Sequence, residues 1–395
     1  MRILTVTDFL YPHITGGASV LAHEIMRRLA MRGHEVVLLT RRRRGLPSHV
    51  EGMPVHSYWA ATREALYPLA LVHCVRRVSA MLDGGGFDLV NVHHSYSGLG
   101  VEASRRLCST VPSVFYFHGP WHKEAMAQGE EDDSLRGPRA LKYAARRAAD
   151  RFVLRSCTRC VVLSQYMRSE AMSICPGVDG RVTRIPGGVD TERFHMGIDR
   201  RQARERLRWR DAETVLLTVR RLAPRMGLEN LIRAMDLIRS SRPEVRLVIG
   251  GKGPLAERLQ ALINSLGLTQ VELAGYIPDE DLPAYYRAAD LAVMPSESLE
   301  GFGLSTLEAF ACGTPVVATP VGGNGEVLGG PIPDFILDGS DPDHLARGIL
   351  SGIDKLTRPD LSARLRQHAE RHSWSHITDE VEELFAQVCA GDTGR

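Results

Sequence analysis

Short apolar segments alternate with longer amphipathic segments along most of the chain, and this alternation restricts the fold more than any other feature. In the first half, five apolar segments have the length and β-branched content of buried strands: residues 2–7, 35–40, 88–93, 113–117 and 160–164. Helical patterns separate them, at about 18–33, 63–82, 99–108 and 136–155. Apolar strands that alternate with helices are typical of a parallel sheet covered by helices on both faces.

The second half repeats this alternation. Strand patterns lie at 214–219, 245–250, 271–276, 291–296 and 315–319, and helical patterns at 227–240, 254–266, 279–288, 304–312 and 341–355. Residues 184–194 contain a proline and two glycines and mark the crossing between the halves. We predict two doubly wound, Rossmann-like α/β domains that face one another across a deep cleft, residues 1–186 with a C-terminal helix at 375–395, and residues 187–374. Ligands bind such sheets at the carboxyl ends of the strands.

Composition excludes several other classes of protein. The hydrophobic fraction of 44% and the charged fraction of 24% are ordinary for a globular protein. A formal net charge of +2 gives no argument for nucleic acid as a partner. Seven cysteines on so long a chain indicate reduced thiols rather than a disulfide framework, so we expect a cytoplasmic protein. The first residues have no signal-peptide pattern, and no apolar run reaches the roughly 20 residues that cross a bilayer.

The segment EGFGLSTLE, residues 300–308, follows a predicted strand and carries a glutamate at each end. Gly301 and Gly303 allow a sharp turn and a close approach of the backbone to a ligand. A helix is predicted to start near Leu304, and the first amides of a helix have no partners inside it, so they bind anions. Glu300 and Glu308 would then flank an anion site. A nucleotide sugar fits this pattern, since it has a diphosphate in the middle and hydroxyl groups at both ends.

A dinucleotide-dependent oxidoreductase is an alternative function for two Rossmann-like domains. Its fingerprint, GxGxxG, would follow the first strand, and it is absent there. Residues 247–255, LVIGGKGPL, have glycines after a strand but lack that spacing. Hydride transfer is therefore disfavoured.

The longer segment EGFGLSTLEAFACGTPVVAT resembles the signature of the retaining glycosyltransferases of family 4, which have the GT-B fold. Seven further motifs follow the order and spacing of that family: residues 14–36, 117–119, 185–194, 220–227, 247–255, 275–296 and 321–326. The resemblance therefore covers nearly the whole chain. It implies a GT-B enzyme whose first domain binds the acceptor and whose second domain binds a UDP- or GDP-sugar.

The resemblance also implies roles for the residues of the first motif. Glu300 would approach the donor sugar, and Glu308 would hold the ribose hydroxyls, because a carboxylate accepts two hydroxyl hydrogen bonds at once. The backbone of three residues would contact the sugar hydroxyls: Gly301, Phe302 and Gly303. The amides of the next three would contact the diphosphate: Leu304, Ser305 and Thr306.

The stretch RRLAPRMG, residues 220–227, resembles the phosphate clamp of the family, in which an arginine is followed five residues later by a lysine. Arg221 matches the arginine, and Arg220 replaces a glycine of the pattern. Met226 stands at the lysine position and cannot attract a phosphate, so we expect Arg225 to supply the second cation.

Further residues receive roles from the resemblance alone. His118 would face the donor sugar and the reacting centre, Gly16 and Gly17 would lie against the diphosphate or the acceptor, and Ile277 would offer its backbone to the base. Asp8, His13 and Tyr96 are predicted to lie near the same cleft.

The resemblance implies that the sugar passes to the acceptor on the same face from which the diphosphate leaves. No nucleophile stands out in these motifs, which agrees with that reaction. The departing phosphate would accept the proton of the acceptor, and Arg221 would stabilise its charge. Neither a cofactor nor a metal ion is implied. Two alternatives remain open: a nucleotide-sugar epimerase of GT-B fold, and a catalytically silent nucleotide-sugar binding protein, for which Met226 is the hint.

The expected acceptor is a hydroxyl group of a molecule such as a glycan, a lipid-linked glycan or a small metabolite. Arg41–Arg44 form a basic run that is predicted to be a solvated loop, with contact to the inner face of a membrane as the alternative. The helix at 63–82 would assist such a contact or face the core. His93 and His94 are adjacent, and strand geometry predicts that they point to opposite faces.

Overall fold

The computed structural model describes residues 1–11, 16–60, 66–126 and 137–391. These residues divide into two compact units. The first unit is Met1–Glu124, Asp133–Pro186 and Trp374–Arg395, and the second is mainly Gly187–Ser373. Each unit is a sheet with helices packed on both faces, as the alternation of strand and helix patterns predicts.

The described part of the first unit contains one eight-stranded sheet. Its strands are β1 (Arg2–Thr7), β2 (Glu35–Arg41), β3 (His49–Val50), β4 (Met53–Tyr58), β5 (Leu89–His93), β6 (Ser113–Tyr116), β7 (Arg159–Val162) and β8 (Val182–Arg184). Their spatial order is β3-β4-β2-β1-β5-β6-β7-β8. β3 pairs with β4 in the antiparallel sense, and the other pairs are parallel.

Helices of the first unit pack against this sheet. They are α1 (Gly17–Met31), α2 (Tyr67–Gly85), α3 (Ser95–Cys108), α4 (Trp121–Met126), α5 (Pro138–Ser156) and α6 (Gln165–Ile174). The buried face of α2 shows why the segment is helical, because Ala70, Cys74, Val78 and Leu82 recur every four residues and join the core. α2 therefore faces the core with one stripe, while Leu69 and Val72 on its other side are exposed.

The second unit is built on a smaller sheet. Within residues 187–373 its strands are β9 (Thr214–Val219), β10 (Val245–Gly250), β11 (Val271–Gly275), β12 (Leu291–Met294) and β13 (Val316–Ala318), in the order β11-β10-β9-β12-β13. All four strand pairs are parallel, so the carboxyl ends of the strands meet at one edge. This edge carries most of the residues that the sequence predicts to bind the donor.

Helices again cover both faces of the second sheet. They are α7 (Arg200–Leu207), α8 (Leu228–Ile238), α9 (Ala256–Ser265), α10 (Leu282–Ala288), α11 (Leu304–Ala311), α12 (Asn324–Gly329), α13 (Pro342–Asp354) and α14 (Leu361–Arg371). α8 and α13 pack together and bury regular apolar stripes, whereas α11 is buried along most of its length. α11 is the helix that the motif at 300–308 predicts.

The last helix, α15 (Trp374–Cys389), belongs to the first unit and packs on α1. Its buried face consists of Trp374, Ile377, Thr378, Val381, Leu384, Phe385 and Val388. Glu382 accepts hydrogen bonds from Arg32 and His34, both at 2.8 Å. The chain therefore runs from the first unit into the second and returns. Among the described residues, no helix has both the length and the apolarity that crossing a bilayer requires.

Candidate active site

The order of strands in the second unit selects one position for a ligand. β9 and β12 are neighbours. The chain runs from β9 to β10 on one side and from β12 to β13 on the other, so the carboxyl ends of β9 and β12 border a topological switch point. Arg220 is the first residue after β9, and Ser296 and Glu300 follow β12. The motif at 300–308 therefore begins at the place where the sheet topology favours a ligand.

Glu300 is held by two side chains of this edge. Arg220 donates from Nη2 to Glu300 Oε2 at 2.6 Å, and Ser296 donates from its hydroxyl to the same oxygen at 2.7 Å. The Arg220 and Glu300 side chains are only 8% and 15% exposed. Burial raises the pKa of Glu300, but the Arg220 charge and the two hydrogen bonds outweigh it, so the pKa lies below its usual value. Glu300 is therefore an ionised carboxylate at neutral pH.

The backbone around Glu300 is tightly fixed. Leu299 has a φ of +55°, which is rare for a residue with a side chain, and its carbonyl accepts a hydrogen bond from Arg225 at 2.9 Å. Gly322 has a φ of +62°, and a Cβ there would lie 2.0 Å from the Glu300 carbonyl oxygen. Gly323 donates its amide to that same oxygen at 2.8 Å. Strain of this kind is retained where a precise backbone position is needed, often at binding sites.

The turn into α11 has the geometry that its two glycines predict. Gly303 precedes the helix with a φ of +95°, a conformation that a glycine adopts without steric cost. The amides of Leu304 and Ser305 open the helix. The Thr306 amide, in contrast, already donates to the Gly303 carbonyl at 3.0 Å. The Thr306 amide is therefore bonded within the first turn, and its contact with a diphosphate stays a prediction.

Two polar side-chain atoms beside this turn are buried without partners among the described residues. They are Thr306 Oγ1 and Asn324 Oδ1. A Cβ on Gly303 would lie 3.2 Å from the first atom and 3.4 Å from the second, so both border the glycine. Phe302 is buried, and it packs with Leu304 against Gly187, where an added Cβ would lie within 2.8 Å of either side chain.

Glu308 lies one turn into α11 and has a different environment from Glu300. The Tyr286 hydroxyl donates to Glu308 Oε2 at 3.1 Å. Burial raises the pKa of Glu308 to about 7, and the hydrogen bond from Tyr286 only partly offsets this effect. Glu308 therefore keeps its proton to a much higher pH than Glu300 does. The two glutamates of the motif therefore differ in charge state.

The predicted phosphate clamp is divided between exposed and buried residues. Arg221 is exposed after β9, Arg225 is half-buried over Leu299, and Met226 is buried in the core. Met226 thus replaces the family lysine with an apolar core contact. Ile277 is buried, and a Cβ on Gly250 would lie 2.4 Å from its Cδ1, so its side chain packs on the end of β10.

The first unit has its own polar cluster at a switch point, between β1 and β5. Asp8, directly after β1, accepts hydrogen bonds from Arg41 Nε and from the Tyr58 hydroxyl, each at 3.1 Å. The Arg41 guanidinium lies 4.3 Å from the centre of the Tyr96 ring. The expectation that Arg41 belongs to a solvated loop is therefore wrong, since Arg41 ends β2 and pairs with a buried carboxylate. Arg42, Arg43 and Arg44 are exposed.

Three histidines come together beside this cluster. His93 Nδ1 lies 2.9 Å from His118 Nε2, and the rings of His94 and His118 are 5.5 Å apart. The expectation that His93 and His94 point to opposite faces is wrong, because His94 leaves the strand with a φ of +80°. Burial, and then the neighbouring histidines, lower the pKa of His93 and His118 well below the usual value. Sequence reasoning missed this convergence.

The remaining predicted residues of the first unit lie at the start of α1. Gly16 precedes the helix with an extended backbone, and Gly17 is its first residue; both are exposed. His13 lies outside the described residues. Among the residues that the structure describes, no group of three or more His, Cys, Asp or Glu side chains could hold a metal ion. Whether the reaction needs a metal ion stays a prediction.

Two family profiles match the chain. "Glycosyltransferase Family 4" matches residues 15–193, and "Glycosyl transferases group 1" matches residues 199–372. Curated relatives agree with these profiles. The D-inositol 3-phosphate glycosyltransferase of Acidothermus cellulolyticus is 32% identical over 95% of this chain and 86% of its own length. D-inositol 3-phosphate glycosyltransferase 1 of Catenulispora acidiphila is 33% identical over 96% and 93%.

Solved structures show the same fold at lower identity. Sucrose-phosphate synthase from Thermosynechococcus elongatus superposes with a TM-score of 0.84 at 23% identity, over 99% of both chains. HepE from Anabaena, solved in complex with UDP-glucose, gives a TM-score of 0.78 at 20% identity, over 98% of this chain and 100% of its own.

Proposed function

Because the chain belongs to glycosyltransferase family 4, with a group 1 glycosyl transferase domain and the GT-B fold, we propose that it is a retaining hexosyltransferase. It moves a sugar from a nucleotide-diphosphate sugar, a UDP- or GDP-sugar, to a hydroxyl group of an acceptor. One observation carries this proposal: two largely buried glutamates flank a glycine turn and a helix N-terminus at the switch point of the second sheet. The turn and the two carboxylates match the parts of a nucleotide sugar in order.

The donor would lie along the motif with its ribose toward Glu308. The Glu308 carboxylate accepts the ribose hydroxyls, and the backbone of Gly301, Phe302 and Gly303 contacts the sugar. The amides of Leu304, Ser305 and Thr306 bind the diphosphate, because a helix N-terminus favours anionic oxygens. These assignments come from the family resemblance and from the local geometry together.

Charge stabilisation would drive the chemical step. Negative charge develops on the diphosphate as the glycosidic bond breaks, and Arg221 is the exposed cation closest in sequence to the switch point. The acceptor oxygen bonds to the anomeric carbon on the face that the diphosphate leaves, which retains the anomeric configuration, and the departing diphosphate takes the proton of that hydroxyl group. Arg225 is the second cation of the clamp and Glu300 orients the sugar. The proposed catalytic role of His118, which would face the donor sugar and the reacting centre, rests on the family resemblance. We propose that no cofactor or metal ion takes part.

The first acceptor to test is D-inositol 3-phosphate, since relatives that share about a third of their residues with this chain bear it in their names. Glycans and lipid-linked glycans are the other acceptor classes. The reaction would take place in the cytoplasm.

Nucleotide binding is the first test of this proposal. Thermal unfolding is measured with UDP, GDP, ADP and TDP, and one of them is expected to raise the unfolding temperature. The corresponding sugar nucleotides are then incubated with D-inositol 3-phosphate, and the anomeric configuration of the product is read by NMR. No stabilisation by any nucleotide would contradict the proposal.

The two alternatives give different products. Nucleotide binding without transfer or hydrolysis across a panel of donors would indicate a silent binding protein. An epimerised sugar or free nucleotide without an acceptor would indicate an epimerase.

A basic and apolar face of the first unit suggests a peripheral contact with an anionic membrane. Trp59, Leu69 and Val72 are exposed apolar side chains, and Arg42 and Arg77 stand beside them. A cavity of about 530 Å³ is lined by Arg42, Ser57, Tyr58, Trp59, Leu69, His73 and Arg77. Exposed apolar side chains beside arginines are typical of surfaces that bind anionic lipid.

Flotation with vesicles tests this contact. The protein is expected to float with phosphatidylglycerol vesicles and not with phosphatidylcholine vesicles, and Leu69→Glu is expected to abolish flotation. Arg201→Glu, at an arginine of the second unit whose side chain is 81% exposed, is the control for a change of surface charge. Equal flotation of Leu69→Glu and the wild type would contradict the contact.

A further inference from the structure

Two neighbouring strands of the first sheet carry polar residues at alternate positions. Asn91 and His93 lie on one face of β5, because side chains two positions apart share a face. Tyr116 ends β6 on the same face of the sheet, and His118 follows it two residues later. His93 and Tyr116 are register partners, and their rings stack at 4.6 Å and 14°. Asn91, His93 and His118 therefore form a row across the switch point.

Hydrogen bonds connect this row from end to end. Asn91 Nδ2 lies 3.0 Å from His93 Nε2, and His93 Nδ1 lies 2.9 Å from His118 Nε2. Asn91 and His93 are fully buried, so water does not compete for these contacts. An imidazole ring in its neutral form has one donor and one acceptor nitrogen, so the direction of the first bond fixes the direction of the second.

The orientation of the Asn91 amide sets that direction. Its Nδ2 also lies 3.6 Å from Met26 Sδ, a weak acceptor, and its Oδ1 has no partner among the described residues. The reversed amide would bury two unpaired N–H groups, whereas the present one leaves a single unpaired oxygen. Unpaired buried donors are costly, so the present orientation is favoured. Asn91 therefore donates to His93, and His93 donates to His118.

We propose that His93 is a positioning residue that holds His118 in the neutral tautomer protonated on Nδ1. The consequence for catalysis rests on the proposed function. In the transfer reaction His118 would act as a hydrogen-bond donor through Nδ1, because its Nε2 already accepts a hydrogen bond from His93. It would not act as a base through Nε2. The hydrogen-bond partner of one ring nitrogen fixes which nitrogen carries the proton, a principle that orients many functional histidines.

The tautomer is measurable without any substrate. The full chain is labelled with ¹⁵N-histidine, long-range proton–nitrogen correlations are recorded at pH 7, and the His118 signals are assigned by their loss in His118→Gln. We expect a protonated Nδ1 and an unprotonated Nε2. An Nε2–H tautomer or an imidazolium in the wild-type protein would overturn the inference.

Variants of His93 separate positioning from a structural role. His93→Phe keeps the ring that stacks on Tyr116 and removes both nitrogens, so His118 is expected to revert to the Nε2–H form that predominates in free histidine. His94→Asn is the matched control, because His94 also borders His118 but bonds to Thr7 instead, at 3.3 Å. His94→Asn is expected to leave the His118 signals in place. Unchanged signals in His93→Phe would contradict the inference, and if that variant does not fold, the wild-type spectrum still decides.

Kinetics provide the second readout, with the donor and acceptor that give turnover in the assay above. His93→Phe is expected to lower kcat by about tenfold or more with little change in the donor KM. His93→Gln, whose amide can accept from Asn91 and donate to His118, is expected to restore most of the loss. Equal losses in both variants would contradict the relay. Absence of transfer by the wild type would contradict the proposed function and leave the tautomer measurement valid.

Discussion

The two glutamates of the motif have opposite electrostatic environments, although the sequence presents them as a symmetrical pair. Glu300 has a cation and a hydroxyl as partners, which favour its charge, whereas Glu308 has a single neutral donor. The segment predicts both positions correctly, one before the turn and one within the helix. Their different charge states follow from the Arg220 charge beside Glu300 and from the burial of Glu308. Arg220 lies 80 positions from Glu300, so the two could not be paired from the sequence.

The raised pKa of Glu308 gives nucleotide binding a pH dependence. A ribose is bound by the carboxylate, so affinity for UDP is expected to rise as the pH increases from 6 to 8, through the pKa of about 7. Calorimetric titration at several pH values measures this. Glu308→Gln is the control: its side chain does not ionise, so any pH dependence that remains in this variant comes from the nucleotide itself. Glu308→Ala is expected to weaken UDP binding by about 1–3 kcal/mol.

The same group affects the ligand-free protein in the opposite direction. The folded state keeps the Glu308 proton up to about pH 7, while the unfolded chain releases it near its ordinary pKa of 4.5. The free energy of unfolding is therefore expected to fall, for this group, as the pH rises from 4.5 to 7.

Parallel pH profiles of UDP affinity in the wild type and Glu308→Gln would contradict the assignment of Glu308 to the ribose.

The two adjacent arginines after β9 are expected to give different phenotypes. Arg220→Ala leaves the buried Glu300 carboxylate without its cation and is expected to cost about 3–5 kcal/mol of stability. Arg221→Ala removes an exposed side chain, so it is expected to preserve stability and to weaken diphosphate binding.

Chemical denaturation and UDP titration together distinguish these outcomes. Per folded molecule, Arg221→Ala is expected to reduce turnover far more than Arg220→Ala. Equal reductions would mean that the register of the clamp is wrong and that Arg220 contacts the diphosphate.

Among the elements, the loop that carries Gly322 leaves no room for a side chain beside Glu300. Gly322→Ala places a Cβ against the Glu300 carbonyl oxygen at a left-handed φ and is expected to cost about 1–3 kcal/mol and to weaken UDP binding. Gly325→Ala is the matched control, since a Cβ there meets nothing within 4 Å and α12 gains a better helix former. Thermal unfolding and UDP titration of both variants test this. Equal stability of the two variants would show that the loop adapts.

The ease of predicting an element depends on the regularity of its pattern. β9 and β10 lie at the predicted residues, because each is a continuous apolar segment with a defined end. α7 was not predicted, since its sequence RRQARERL has almost no apolar stripe and it is fixed by the pairing of Arg200 and Arg204 with Asp290. β3 and β4 were also missed, because β3 has only two residues and β4 contains a proline.

The histidine row shows a limit of reasoning from one strand at a time. Alternation correctly places Asn91 and His93 on one face, but it fails for His94, whose positive φ lies beyond the strand end. The row itself needs the parallel register of β5 with β6, which pairs His93 with Tyr116. That register is a tertiary property, although the patterns NVH and YFH, each ending in a histidine after a buried strand, are the sequence signal that could have suggested it.

At the scale of the whole molecule, α15 is expected to be essential to the first unit. A chain that ends at Ser373 loses six large apolar side chains from the core of that unit, at about 1.5–3 kcal/mol each. This sum, about 9–18 kcal/mol, is as large as the whole stability of an ordinary domain, so the first unit is expected not to fold. Circular dichroism and limited proteolysis of the truncated chain test this.

Glu382→Ala is the matched control for that deletion. It removes only the partly exposed contacts of α15 with Arg32 and His34, so it is expected to cost about 1 kcal/mol or less. A truncated chain whose first unit remains folded and resistant to protease would show that the helix is an accessory.

The position of α15 also governs the order of events during synthesis. Domains ordinarily fold one after another as they leave the ribosome, the amino-terminal one first. Here the sheet that begins at Arg2 lacks its last covering helix until Trp374–Cys389 has been made, so residues 187–373 can finish folding earlier. The half of the protein translated first is therefore completed last, and until then its uncovered apolar face is the part of the nascent chain that a chaperone would bind.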